Sequence, residues 1–125
     1  PPPAAERRLH VSLSACAAAA PVNVAQNVLV GGRDAGRWGN AHANLAPYQL
    51  LAAADRPLVV AVGNDAQWRA CAAALDLPDL ARDPRFATNP ARLANRTALA
   101  DALAARRRER PAAEWIARLD AAGVP

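Results

Sequence analysis

The sequence has no lysine and no methionine, and only two histidines, two cysteines, one tyrosine and one phenylalanine. Each shortage closes off a chemistry. His10, His42, Cys16 and Cys71 are too few and too scattered to make a metal site, so no metal ligand is expected. The two cysteines form no CxxC and stand in apolar settings. Both are read as buried small hydrophobes of a reducing, cytoplasmic compartment. The only serines are Ser12 and Ser14. A nucleophile triad would need one of them with His42 and a distant aspartate, and no nucleophile elbow supports it. No run approaches the roughly 20 apolar residues that span a bilayer, so no membrane partner is expected. The alanine run at 15–20 after Arg7 and Arg8 imitates a signal-peptide core. Alanine is weakly apolar and Pro21 follows at once, so it is not read as one.

What is abundant is arginine and alanine. All fifteen basic residues are Arg, and the net charge is +4. Both residue types favour helix. A basic chain raises the question of nucleic acid. The arginines are spread out, however, and their one cluster, Arg106-Arg107-Arg108 with Arg110, falls at a helix end where cations suit the dipole. That cluster is read as a solvated face. With three Trp, one Tyr and one Phe there is little to stack on bases, so no nucleic-acid partner is expected.

A length of 125 residues suits one domain with a real core. The chain opens Pro-Pro-Pro-Ala without Met and closes Ala-Gly-Val-Pro. Both ends read as interior sequence, and the chain is expected to be a fragment.

In order, residues 1–6 are Pro-rich and irregular. Leu9, Val11 and Leu13 alternate with polar residues, which favours a short strand at 9–11. A helix capped by Ser12 or Ser14 follows and runs toward Val30, kinked or split by Pro21. Ala20, Val24 and Val28 share a face, and Gly31-Gly32 end the helix. Gly31, Gly32, Gly36 and Gly39 with Arg33 and Arg37 form a loop. Its spacing fits neither GxGxxG nor GxxxxGK[ST], so a connecting loop is preferred to a phosphate cradle. Strand-like runs at 48–53 and 58–62 flank the turn Ala54-Asp55-Arg56-Pro57 and read as a hairpin. Asn64 or Asp65 caps a helix at 66–75 with Trp68, Cys71, Ala72 and Leu75 on its core face. Residues 76–85 form a Pro-punctuated linker with one helical turn at 79–81, and Phe86 plugs into the core. Asn89-Pro90 is read as an N-cap followed by Pro at the first helical position, opening a helix to about Arg106. On that helix Leu99 and Leu103 share a face and Leu93 lies to one side. Pro111 opens a last helix with Ala112, Trp115, Ile116 and Leu119 on one stripe, and Gly123 stops it.

One stretch has no hydrophobic period. Residues 39–49 read Gly39-Asn40-Ala41-His42-Ala43-Asn44-Leu45-Ala46-Pro47-Tyr48-Gln49. A polar segment at the change from helix and loop to hairpin and helices is where a site is expected. The candidates are Asn40, His42, Asn44, Tyr48 and Gln49. His42 is either a general acid or hydrogen-bond donor, or a loop histidine bonded to backbone.

The same stretch resembles the GNxHPxxxPYQ segment of the class III CoA-transferases, which include formyl-CoA and carnitine CoA-transferases and α-methylacyl-CoA racemases. Further matches follow in order. Residues 59–65 with Trp68 resemble that family's hairpin strand and helix start. Asp83-Pro84-Arg85-Phe86-Ala87-Thr88-Asn89, Arg92 and Asn95-Arg96 resemble its DPRFxTNxxRxxNR run. Ala113-Glu114-Trp115, Leu119 and Ala122-Gly123-Val124-Pro125 resemble its AEWxxxLxxAGVP close, and Val11-Ser12-Leu13 resembles its DVSLLDA entry. Ala43 departs from the usual Pro, Asp55-Arg56-Pro57 from the usual Asp-Gly turn, and Pro21 from an unbroken helix.

The resemblance implies a mainly helical α+β fold: a linker helix, a β-hairpin and the helices of an incomplete small domain. It places residues 1–38 in a tail and linker helix and 39–125 in part of the small domain. It implies CoA transfer from an acyl-CoA to a carboxylic acid, with the CoA thioester as substrate, no tightly bound cofactor and a homodimeric parent. Asn40, His42, Tyr48 and Gln49 are the residues it places next to substrate or CoA. The family's catalytic aspartate belongs to a large domain that nothing here matches. No catalytic residue is therefore assigned, and the chain alone is expected to be inactive. A racemase or epimerase fragment and a noncatalytic association module are the alternatives.

Overall fold

The computed structural model describes residues 9–32 and 34–125. The chain divides into two units, Pro1–Arg37 and Trp38–Pro125. The expectations for residues 1–6 and for Arg33 lie outside the described residues.

In the first unit, helix α1 spans Leu13–Ala19 and helix α2 spans Val22–Leu29. Ser12 caps α1, its hydroxyl accepting from the Ala15 N–H at 3.4 Å. Pro21 splits the expected single helix in two: it stands at the N-cap of α2 and breaks the amide ladder. Gly32 ends α2 at φ +62°, in the left-handed region glycine favours. The strand expected at 9–11 does not form, since no partner strand pairs with it among the described residues. Neither helix buries a side chain.

The second unit is mainly helical α+β. Strands β1 (Tyr48–Ala52) and β2 (Pro57–Ala61) make an antiparallel hairpin with Leu50 opposite Val59 and Leu51 opposite Leu58. Pro57 opens β2, a place where its missing N–H costs little. Helices α3 (Asp65–Ala74), α4 (Pro78–Arg82), α5 (Asn89–Ala94), α6 (Arg96–Arg107) and α7 (Ala112–Ala121) follow. The core joins the inner hairpin face (Leu51, Leu58, Val60) to Trp68, Cys71 and Leu75 of the α3 segment, Leu99 and Leu103 of α6, Trp115 and Leu119 of α7, and Phe86. Burial pushes the Cys71 thiol up to about 12, so it packs as an inert hydrophobe.

Three expectations about burial also need correction. Cys16 is exposed, because α1 buries nothing. Ile116 is 39% exposed, because α7 turns Ala112, Trp115 and Leu119 inward and leaves position 116 at the rim. The arginine cluster is only in part a solvated face: Arg108 is exposed and Arg106 and Arg110 are half-buried. Arg107 is buried and donates to the Ala52 carbonyl at 2.9 Å, while its own carbonyl accepts the Trp115 indole N–H at 2.9 Å. The hairpin turn is tied to the same corner. Asp55 accepts the Ala112 N–H at 2.7 Å, which caps α7 where Pro111 offers no side-chain cap, and that bond holds the Asp55 carboxyl below its ordinary value.

Two helices end in the same motif. After α7, the Gly123 N–H bonds to the Asp120 carbonyl and the Val124 N–H to that of Leu119, with Gly123 at φ +69°. After α3, the Asp76 N–H bonds to Ala73 and the Leu77 N–H to Ala72, with Asp76 at φ +57°. An aspartate here takes a left-handed conformation that glycine would adopt without strain. Its carboxylate binds Arg118 at 2.6 and 2.7 Å and Arg106 at 3.0 Å, which ties the end of α3 to α6 and α7.

The Arg118 hydrogen bonds, with Arg106 adding to them, hold the Asp76 carboxyl at about 2, below its ordinary 3.8. A depressed folded-state value means that this stabilisation is complete above about pH 4 and disappears as pH falls toward 2. Asp76→Asn keeps a residue that tolerates the left-handed region. In urea titrations from pH 5 to 2, the wild type should lose stability more steeply than D76N. Parallel curves would show that the clamp contributes nothing.

Candidate functional site

The polar stretch 39–49 carries no regular structure until β1 begins at Tyr48. A loop without ladder bonds must place its backbone groups elsewhere. Here the α5–α6 segment takes them. Asn89, Arg92 and Arg96 are spaced three and four residues apart, so they project from one helical side across the break at Asn95.

Each of the three side chains bonds to the loop. The Asn89 amide donates to the Asn44 carbonyl at 2.8 Å and accepts the Ala46 N–H at 3.1 Å, pairing as a strand neighbour would. Arg92 is 0% exposed. Its Nε donates to the Ala46 carbonyl at 2.5 Å, one Nη to the Phe86 carbonyl at 3.1 Å, and the other to Asp65 at 2.9 Å. Its guanidinium also lies 5.4 Å from the centre of the Trp68 ring. Burial pulls the Arg92 pKa below the ordinary arginine value, and Asp65 offsets part of that. Arg96 Nη2 donates to the His42 carbonyl at 2.9 Å and the Ala43 carbonyl at 3.3 Å, with its guanidinium 5.1 Å from the Trp38 ring centre. The Ala46–Pro47 peptide is cis.

Asn89 is therefore not the N-cap that the sequence was expected to supply. Thr88 caps α5, its hydroxyl accepting the Ala91 N–H at 3.4 Å, and this frees Asn89 for the loop. The helix expected to run unbroken to Arg106 pauses at Asn95, whose φ and ψ of −113° and 30° leave the helical region.

The four residues that the resemblance places next to substrate or CoA do not converge on one point. His42 and Tyr48 are together: their rings stack at 5.1 Å with a 21° tilt, and the His42 N–H donates to the Tyr48 carbonyl at 2.9 Å. His42 Nδ1 accepts the Asn44 N–H at 3.0 Å. Asn40 has a different task, its side-chain oxygen accepting the Leu50 N–H at 2.9 Å and satisfying the edge of β1. Gln49 alternates to the opposite hairpin face from Tyr48 and lines a cavity of about 10 Å³ with Ala46, Pro47, Arg96, Leu99 and Leu103. Beside Arg96 lies an open depression of about 400 Å³, lined by Trp38, Leu93, Asn95, Arg96 and Thr97.

No group of three or more His, Cys, Asp or Glu among the described residues is arranged to hold a metal ion. Among the described residues the partnered carboxylates include Asp55 on the backbone N–H of Ala112, Asp65 on Arg92, Asp76 on Arg106 and Arg118, Asp79 on Arg82, Asp83 on Arg85, Glu109 on Arg106 and Glu114 on Arg110. No helix of the described residues is long and apolar enough to cross a membrane. The sequence places Arg92 and Arg96 in a family run but does not show that they and Asn89 hold the loop. Their signal was the three-then-four spacing of long polar side chains on one side of a helix that also carries core leucines.

This is a small α+β domain with a polar loop held against a helix pair by their side chains. A family profile described as CoA-transferase family III matches residues 6–125, so the chain belongs to the class III CoA-transferases. Mouse succinyl-CoA:glutarate CoA-transferase is 38% identical over 102 residues, covering 82% of this chain and 23% of that protein. The acetyl-CoA:oxalate CoA-transferase of Acetobacter aceti is 40% identical over 94 residues, covering 75% of this chain and 24% of that protein. The crystal structure of a CAIB/BAIF family protein from Brucella suis superposes with a TM-score of 0.72 at 42% identity, covering 88% of this chain and 29% of that one. The chain thus spans about a quarter of the length of these curated relatives.

The loop's dependence on its helix is measurable. Asn89→Asp keeps the acceptor for Ala46 but turns the donor facing the Asn44 carbonyl into a second acceptor. It should cost about 1–3 kcal/mol in urea unfolding. Arg92→Met strands the buried Ala46 and Phe86 carbonyls, while the half-exposed Asp65 turns to water, and should cost about 2–4 kcal/mol. Losses under about 0.5 kcal/mol for both would show that the loop holds itself.

Proposed function

We propose that this chain is the linker and most of the small domain of an enzyme that moves CoA from an acyl-CoA donor to a carboxylic acid. Residues 1–38 form the tail and linker, and 39–125 the partial small domain. The observation that carries this reading is the family match over residues 6–125, joined by relatives whose names all describe CoA transfer. Those relatives act on succinyl-CoA with glutarate and on acetyl-CoA with oxalate, which supports a carboxylic acid as acceptor here and favours transfer over α-carbon racemisation.

In this reading the loop shapes one wall of the substrate pocket. His42 and Tyr48 present a stacked pair next to the acyl-CoA, while Asn40 supports the edge of β1 and Gln49 lies on the opposite hairpin face. With Nδ1 already accepting from Asn44, His42 meets substrate through Nε2 as a hydrogen-bond donor, suited to a thioester or carboxylate oxygen. In this reading the nucleophilic carboxylate is supplied from outside this chain, as the family resemblance implies, while Asp65, Asp76 and Asp83 are committed to arginines and Asp55 to a helix N-terminus. A reactive acyl anhydride also needs a site closed against water, which one small domain does not provide.

Two further features fit. Leu13, Val22 and Leu29 on α1 and α2 are exposed, which suits packing against a large domain or a homodimer partner. The free thiols Cys16 and Cys71 suit a cytoplasmic setting.

The test uses labelled CoA exchange between an acyl-CoA and a second acid. The full-length enzyme containing this chain should exchange, while the 125-residue chain alone should not. His42→Gln in the full-length enzyme should lower kcat/KM by about tenfold or more. Exchange of the α-proton without an acceptor acid would contradict the transferase reading, and full activity in H42Q would remove His42 from the pocket.

A further inference from the structure

We infer that Arg96 is a positioning residue that fixes the hydrogen-bonding state of His42, acting through the peptide unit between Ala43 and Asn44. The carbonyl of Ala43 and the N–H of Asn44 belong to one planar peptide group. In a trans peptide those two bonds point in opposite directions, so holding one aims the other. Arg96 Nη2 holds the Ala43 carbonyl at 3.3 Å, and the Asn44 N–H on the far side reaches His42 Nδ1 at 3.0 Å. The same guanidinium nitrogen holds the His42 carbonyl at 2.9 Å, so the backbone on both sides of the Ala43 residue is anchored to one cation.

A backbone N–H can only donate. His42 Nδ1 must therefore offer a lone pair, and the ring proton of the neutral imidazole sits on Nε2. Stacking on Tyr48 at 5.1 Å sets the ring plane, and the bond from the His42 backbone N–H to the Tyr48 carbonyl at 2.9 Å holds the backbone from which the ring projects. Asn89 fastens the next carbonyl, that of Asn44, at 2.8 Å, so the peptide cannot flip from its other end. Arg96 is itself steadied over the Trp38 ring at 5.1 Å. An arginine suits this task because its Nη2 carries two N–H bonds, one for each of the adjacent carbonyls, while the guanidinium face rests on an aromatic ring. The relay defines what His42 can do: it donates from Nε2 and does not serve there as a base. A catalytic consequence rests on the reading that His42 meets substrate; the fixing of the ring does not.

The test has two arms. Long-range proton–nitrogen spectra of the His42 imidazole, recorded on the 125-residue chain at alkaline pH, report which nitrogen carries the proton. The wild type should show Nδ1 at the limit of an unprotonated nitrogen and Nε2 at the limit of a protonated one. In Arg96→Gln both should move toward the averaged positions of free histidine. In Arg96→Lys, which keeps the cation on a shorter side chain, the wild-type pattern should be retained better than in R96Q. The indole N–H resonance of the buried Trp115 reports that each variant is folded. An averaged wild-type pattern, an unchanged R96Q pattern, or an R96K pattern as averaged as that of R96Q overturns the relay. The second arm measures CoA exchange in the full-length enzyme. R96Q should lower kcat/KM by about tenfold, and the R96Q/H42Q double variant should be no worse than H42Q alone. If the spectra respond as expected while R96Q keeps full activity, the relay stands and the placement of His42 in the pocket falls.

Discussion

A buried arginine is the constraint on which the rest of the second unit depends. Arg92 has no exposure, and a guanidinium taken out of water is tolerated only when its donors are met. They are met by the Ala46 carbonyl of the loop, the Phe86 carbonyl of the linker and the Asp65 carboxylate at the start of α3. Three segments far apart in sequence are thereby fixed to one side chain. Replacing any of these acceptors would leave the cation short, so the loop, the linker and α3 are coupled to α5 by electrostatics as well as by packing. Asn89 and Arg96, one turn to either side, extend the same hold along the loop.

Once the loop is anchored, the hairpin has a defined origin. Pro47 and Tyr48 lead into β1, and the Val62 N–H returns to the Pro47 carbonyl at 2.9 Å. The far end of the hairpin is fixed separately, by Arg107 on Ala52 and Asp55 on Ala112. Between these ends the apolar inner face closes over Trp68, Leu103 and Trp115. Arginine thus serves structural purposes at three corners of the domain, on Arg92, on Arg107 and on the Arg106–Asp76–Arg118 clamp. A composition with no lysine suits this, because the guanidinium fork can meet several carbonyls at once where an ammonium meets them as a point.

Local elements were legible because local signals specify them. Asn64 caps α3 as its position before a helical pattern required, Pro21 split its helix, and Gly123 ended α7 in the left-handed region. The core faces of α3 and α6 followed from helical spacing. What the sequence concealed is long-range. Nothing near Asn89 announces that its amide will pair with a loop more than forty residues away, and an Asn-Pro pair reads locally as a cap. Arg107 looks like one member of a charged run until the Ala52 carbonyl and Trp115 are placed around it. In the loop, residue types alone marked 39–49 as special, but they could not show that Asn40 serves the strand edge or that Gln49 faces α6 while Tyr48 faces His42.

Anchored in this way, a segment without secondary structure should be as firmly held as the helix beneath it. Native-state hydrogen exchange of the unmodified chain measures this directly. The amides of His42 and Ala46, which donate to the Tyr48 carbonyl and to Asn89, should exchange with protection comparable to that of Leu103 in the centre of α6. Exchange of those two amides at the rate of an open loop, while Leu103 stays protected, would contradict it.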